Sequence, residues 1–124
     1  MGLLVALGVL VGASVLGLVW RARAGRLRTV STGPSSGPVT LLQFSSPTCA
    51  PCDRLRAVCE TVAAEVSGVR HVEVDVAESL DEARAYGVWR VPTLLVVDAA
   101  GQVMRRSSGV PDARQLRAAI KELV

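Results

Sequence analysis

Aromatic residues are nearly absent from this chain, which holds one Phe, one Tyr and two Trp in 124 residues. Stacking of nucleic-acid bases on aromatic platforms is therefore not supported. Lysine is scarce as well: of the 14 basic residues only Lys121 is not an arginine, a bias that reflects genome composition rather than function. There is one histidine, His71, and three cysteines, Cys49, Cys52 and Cys59, so few soft ligands exist for a transition metal. Internal repeats are also missing. The most consequential absence is of charge. Gly2 to Trp20 is 19 residues without a single ionisable side chain.

At about 1.5 Å per helical residue such a run crosses roughly 30 Å of hydrocarbon, so residues 1–20 are read as a transmembrane anchor that contacts lipid through residues 2–20. A cleaved signal peptide would begin with a basic stretch and carry a shorter apolar core; here no basic side chain precedes the run, although Ala22-Arg23-Ala24 mimics a cleavage site. Gly8 and Gly12 have the spacing of a helix-dimer contact, but glycine is common in spans. Arg21, Arg23, Arg26 and Arg28 follow the span and none precedes it, which assigns the C-terminal side to the cytoplasm. The chain is expected to be a single-pass protein of the cell membrane with its domain in the cytoplasm. Export would instead put that domain on the extracytoplasmic face or release it. From Pro38 onward 10 basic and 11 acidic residues nearly cancel, so the net charge of +3 has its origin in the arginines beside the span. No nucleic-acid partner is expected.

Residues 21–37 are basic and then rich in Ser, Gly and Pro, and read as a tether. Residues 38–124 then form one small domain of 87 residues. Val39 to Phe44 reads as a buried strand. From Cys52 the positions Leu55, Cys59, Val62 and Val66 make one helical stripe that Gly68 stops. Val72, Val74 and Val76 alternate with acids as in a strand. Ser79 and Glu82 are spaced as a capping box for a helix that Gly87 closes. Thr93 to Asp98 and Gln102 to Arg106 read as a hairpin, and Asp112 caps a last helix with Leu116, Ala119, Ile120 and Leu123 on its stripe. The order β-α-β-α-β-β-α predicts an α/β fold, a mixed sheet with helices on both faces.

Within this pattern Cys49-Ala50-Pro51-Cys52 stands between a strand and a helix. Cys49 falls at the helix N-terminus, where unpaired N–H groups and the helix dipole favour a thiolate, the species that attacks disulfides. Cys52, one turn inside, is placed to resolve the mixed disulfide. Pro51 suits the first turn because it has no N–H to lose. Half a zinc site is the competing reading, but only Cys59 and His71 remain to complete four ligands, so no metal is expected. Cys59 lies on the buried stripe and reads as a small core hydrophobe; His71 begins a strand and reads as a solvated histidine. Trp89 and Arg90 precede Val91-Pro92, where a tryptophan has two equal readings, contact with a protein substrate or simple packing of the loop.

Taken together, the strand ending in Phe44, Cys49-Ala50-Pro51-Cys52, the strand ending in Asp75, Tyr86-Gly87-Val88, Val91-Pro92-Thr93, the Asp98 to Gly101 turn and Gly109 resemble the thioredoxin family over residues 38–124. The resemblance implies a thioredoxin fold, shortened at its N-terminus, and thiol–disulfide exchange through Cys49 and Cys52. It also implies Pro92 in the cis form beside the cysteines and a substrate paired along Val91. No cofactor is implied beyond the redox-active disulfide. Implied partners are disulfide-containing proteins and a reductase or other electron donor. The expected function is a membrane-anchored protein-disulfide reductase; the alternatives are an outward-facing thiol–disulfide oxidoreductase and a non-catalytic binding module. Five positions depart from the family pattern. Gln43 stands where an acid is usual, Thr48 and Ser45 where tryptophans are usual, and Ala50 replaces a glycine. Asp53 follows the second cysteine where a base is common, and its charge is expected to oppose the thiolate.

Overall fold

Strand β2 (Val39–Ser45) explains most of the architecture, because it is apolar on both sides. Val39 and Leu41 point to one face of the sheet and Leu42 and Phe44 to the other, as period-2 geometry requires. Fully burying a side chain of this size contributes about 1.5–3 kcal/mol, so β2 is held from both sides. The computed structural model describes residues 1–23, 25–30 and 37–123. Ala24, residues 31–36 of the expected tether and Val124 lie outside the described residues.

Around β2 the remaining elements assemble in a sheet of order β1-β5-β4-β2-β3, with β1 Arg28–Thr29, β3 Val69–Asp75, β4 Thr93–Val97 and β5 Val103–Ser108. Among the described residues β2 and β3 run parallel, and the other strand pairs are antiparallel. Helices α2 (Ala50–Glu65) and α4 (Ala113–Lys121) cover one face, where Leu55, Cys59, Val62, Leu116 and Ile120 meet Val39, Leu41, Leu94 and Val96. Helix α3 (Leu80–Ala85) covers the other through Ala83, against Leu42, Phe44, Leu95 and Val97. The mixed sheet with helices on both faces is thus present.

Three local features differ from the sequence reading. Arg28–Thr29, inside the expected tether, pairs with Arg106 and Arg105 of β5, so the sheet starts before residue 38. Ser79 makes no side-chain cap; Asp75 organises that turn instead, accepting from the amide of Ala77 through Oδ1 and from that of Ser79 through its carbonyl. In β3 Val72 is exposed, since an edge strand has only one neighbour to cover it. Asp112 does cap α4, its Oδ1 accepting from the amide of Arg114 at 2.9 Å.

Helix α1 (Gly2–Arg23) precedes all this. Among the described residues it is the one helix long and apolar enough to cross a membrane, and Leu10, Leu16 and Trp20 are exposed along it.

Candidate functional site

The C-terminal end of β2 and the N-terminal end of β4 lie side by side, because the strands are antiparallel and Phe44 pairs with Thr93. Two loops therefore leave the same end of the sheet. One carries Ser46 to Thr48 into Cys49, the N-cap of α2, and the other carries Tyr86 to Pro92 into β4.

Cys49 and Cys52 are joined as a disulfide with their Cα atoms 5.3 Å apart. Cys49 is half-buried and extended at φ −100°, and no side chain caps the helix start, whose first-turn N–H groups and dipole favour negative charge at that end. Cys52 is fully buried. Pro51 sits in the first turn of α2, and Thr48 is exposed just ahead of the pair. The two cysteines thus differ in access, Cys49 half-buried and Cys52 fully buried.

The second loop is pinned from several sides. Tyr86 packs against Phe44 with ring centroids 5.9 Å apart, and Val88 is buried below it. Arg106 donates to the carbonyls of Tyr86 and Gly87 at 2.8 and 2.6 Å. The Val91–Pro92 bond is cis, Pro92 is buried, and its carbonyl accepts from the amide of Gly109 at 2.9 Å. Thr93 Oγ1 donates to the carbonyl of Arg90 at 2.7 Å. Held this way, Val91 is half-buried and Trp89 stands 82% exposed.

Behind the cysteines lies Gln43, fully buried on the α2 face. Its Nε2 donates to the carbonyl of Cys52 and to Ser45 Oγ, each at 2.9 Å. A carbonyl only accepts, so that contact fixes the amide's orientation and turns Oε1 toward His71 Nε2, 2.9 Å away. The amide oxygen accepts in turn, so Nε2 of His71 carries the proton and Nδ1 is its basic nitrogen. This corrects the reading of His71 as merely solvated: it is half-buried, and burial pushes its pKa below the usual histidine value.

Charge near the pair is also arranged differently from expectation. Arg56 grips Glu73 through Nε and Nη2 at 2.6 and 2.7 Å and Asp53 through Nη1 at 2.8 Å. The hydrogen bond from Arg56 holds Glu73 below the ordinary carboxylate range. Asp53 is therefore not a bare negative charge beside Cys52, since Arg56 offsets it. Cys59 takes no part: it is fully buried, and burial pushes its thiol up to about 12. Among the described residues no group of three or more His, Cys, Asp or Glu is placed to hold a metal ion.

Sequence reasoning missed the Gln43–His71 contact and the Asp53–Arg56–Glu73 cluster. The i,i+3 spacing of Asp53 and Arg56 was a signal for half of the latter. Nothing local signalled the former, which depends on the parallel register of Leu41 with His71.

Comparison with known proteins agrees with this geometry. A family model described as Thioredoxin matches residues 30–122. Thioredoxin of Bacillus subtilis (strain 168) is 35% identical over 91 residues, covering 73% of this chain and 83% of the relative. Thioredoxin of Chlamydia trachomatis serovar D is 35% identical over 78 residues, 63% of this chain and 76% of the relative. Among solved structures, a mutant thioredoxin from Halobacterium salinarum NRC-1 superposes with a TM-score of 0.63 at 35% identity, covering 72% of this chain and 77% of its own.

Proposed function

Because this chain belongs to the thioredoxin family and is a thiol–disulfide oxidoreductase, we propose that it works as a membrane-anchored reductant of protein disulfides, with Cys49 attacking and Cys52 resolving. The observation that carries the division of roles is the difference in access: Cys49 is half-buried at the N-terminus of α2, whereas Cys52 is fully buried. In the dithiol form the Cys49 thiolate attacks one sulfur of a substrate disulfide, and the other sulfur leaves as a thiolate that takes up a proton. The Cys52 sulfur then loses its proton and displaces the substrate from Cys49. Two electrons have passed to the substrate, and the Cys49–Cys52 disulfide remains to be reduced by a donor. Val91, Pro92 and the exposed Trp89 supply the surface along which an extended substrate segment lies.

The anchor is α1. Its apolar length supports a span, and Arg21, Arg23, Arg26 and Arg28 on one side support a cytoplasmic domain, where the pair rests as a dithiol. The test of the roles is a trap. Cys52→Ser accumulates mixed disulfides with substrate proteins, because attack survives and resolution does not, whereas Cys49→Ser accumulates none. The reverse pattern on a non-reducing gel would assign attack to Cys52 and sink the proposed division of labour.

A further inference from the structure

The apolar helix joins the domain at its redox end. β1 runs antiparallel to β5, the amide of Gly25 donates to the carbonyl of Ser108 at 2.7 Å, and Ser108 pairs with Thr93, the residue after Pro92. The last turn of α1 therefore arrives beside the loop that presents Trp89. An open cavity of about 470 Å³ lies between them, lined chiefly by Trp20, Arg23, Arg26, Arg28, Trp89 and Arg90.

The chemistry of this cavity is one-sided. None of its lining residues is acidic. Among the described residues the ion pairs engage Arg56, Arg105 and Arg117, and none involves Arg23, Arg26, Arg28 or Arg90. The guanidinium of Arg90 stacks 5.7 Å over the Trp20 ring, leaving its N–H edge for an acceptor. Several guanidinium groups without a carboxylate select an anion, and planar N–H forks match phosphate oxygens. The two indoles on the rim are exposed, Trp20 at 67% and Trp89 at 82%, and such amphipathic rings partition to the headgroup level of a bilayer.

We propose that this cavity binds the phosphate headgroup of an anionic phospholipid and so holds the Cys49–Cys52 end of the domain against the membrane surface. The inference rests on α1 being a membrane span, since only then does the cavity lie at the headgroup level. Its consequence is a substrate class: disulfides of proteins at or in the same membrane, which approach the Val91–Pro92 loop from the bilayer side. A short basic link at the end of a span is already drawn to anionic lipid. Here the fold adds a cavity shared with the substrate loop.

The experiment uses the full chain carrying Trp20→Phe, so that Trp89 is the one tryptophan reporter, reconstituted into vesicles. In phosphatidylcholine alone the protein co-floats and Trp89 remains open to acrylamide. In equimolar phosphatidylcholine and phosphatidylglycerol its emission shifts to the blue and the quenching falls. Combined Arg23→Gln, Arg26→Gln and Arg28→Gln abolishes the shift while flotation persists, and the corresponding three Lys variants keep most of it. Failure to co-float with neutral vesicles overturns the anchor and the docking with it. Co-flotation with no lipid-dependent change at Trp89 overturns the docking alone. A shift produced by inorganic phosphate on neutral vesicles overturns the lipid assignment in favour of a soluble phosphate ligand.

Discussion

Gln43 Oε1 and His71 Nε2 lie 2.9 Å apart, so an amide stands between the domain's single histidine and the carbonyl of Cys52. An amide in this orientation donates and accepts but does not titrate. The histidine's basic Nδ1 points its chemistry elsewhere, and the buried cysteine has no acid or base in direct contact through Gln43.

Replacing Gln43 by an acid should therefore change the resolving step. Gln43→Asp introduces a titratable oxygen behind Cys52, which raises the rate at which a mixed disulfide resolves near neutral pH. The same substitution removes the donor to the Cys52 carbonyl and leaves buried polar atoms unpaired, at a cost of about 1–3 kcal/mol in stability. Single-turnover release of a mixed disulfide and urea unfolding separate the two effects. An unchanged or slower release, with the fold intact, means that water already accepts the proton.

Acidification should weaken the fold through His71. Its pKa is lowered in the folded state by burial, against opposing contributions from the carboxylates of Glu73 and Glu60, while Arg56 lowers it further. The unfolded chain thus binds the proton first. Stability from this group is fully present above the unfolded value of about 6.5 and is lost as pH falls through the folded value. Glu73 is held low by Arg56, so its own loss comes at more acid pH and does not mask the histidine. Urea midpoints measured from pH 8 to 5 should fall in the wild type. A similar fall in His71→Gln would assign the dependence to another group.

Which of these relationships could be read from the chain depends on how far apart the partners are. The run Val39 to Phe44, the stripe Leu55, Cys59 and Val62, and Asp112 as a cap are local patterns with a fixed period, and each stands in the structure where its period puts it. The position of Cys49 at a helix start followed from strand and helix patterns on either side. The Gln43–His71 contact spans 28 residues and exists only because β2 and β3 pair in one register. β1 was invisible for a different reason. Two exposed residues have no periodicity, and Arg28–Thr29 becomes a strand only because β5 offers a free edge. Ser79 shows the opposite failure: the capping-box spacing was present, but Asp75 took over the turn.

Cys59 should behave as a silent thiol. With its pKa pushed up to about 12 by burial, it has almost no thiolate near neutral pH and no path for a reagent. After reduction of the native protein, a maleimide modifies Cys49 and then Cys52, and reaches Cys59 only in denaturant. Cys59→Ala leaves the rate of disulfide exchange unchanged. Native modification of Cys59 at a rate near that of Cys49 would show that the α2 face opens.

Topology decides which redox pool the site meets. On the proposal that α1 spans the membrane, Arg21, Arg23, Arg26 and Arg28 lie just after it, and orientation follows Lys and Arg within about 15–20 residues of a span. The domain is thus expected in the cytoplasm, where thiols are kept reduced, and Cys49 and Cys52 are expected as a dithiol in cells. The opposing pull is Ala22-Arg23-Ala24, which on export offers a cleavage site and a released domain beginning near Gly25. A membrane-impermeant thiol reagent applied to intact cells, read with the size of the protein, separates the two. No labelling of Cys49 until the cells are opened, together with the full-length chain in the membrane fraction, is the expected outcome. Labelling from outside places the domain on the other face, and a chain shortened by about two dozen residues means cleavage. Either result transfers the electron flow to an oxidising compartment, where a disulfide at rest would make the enzyme dependent on a donor that works across the membrane.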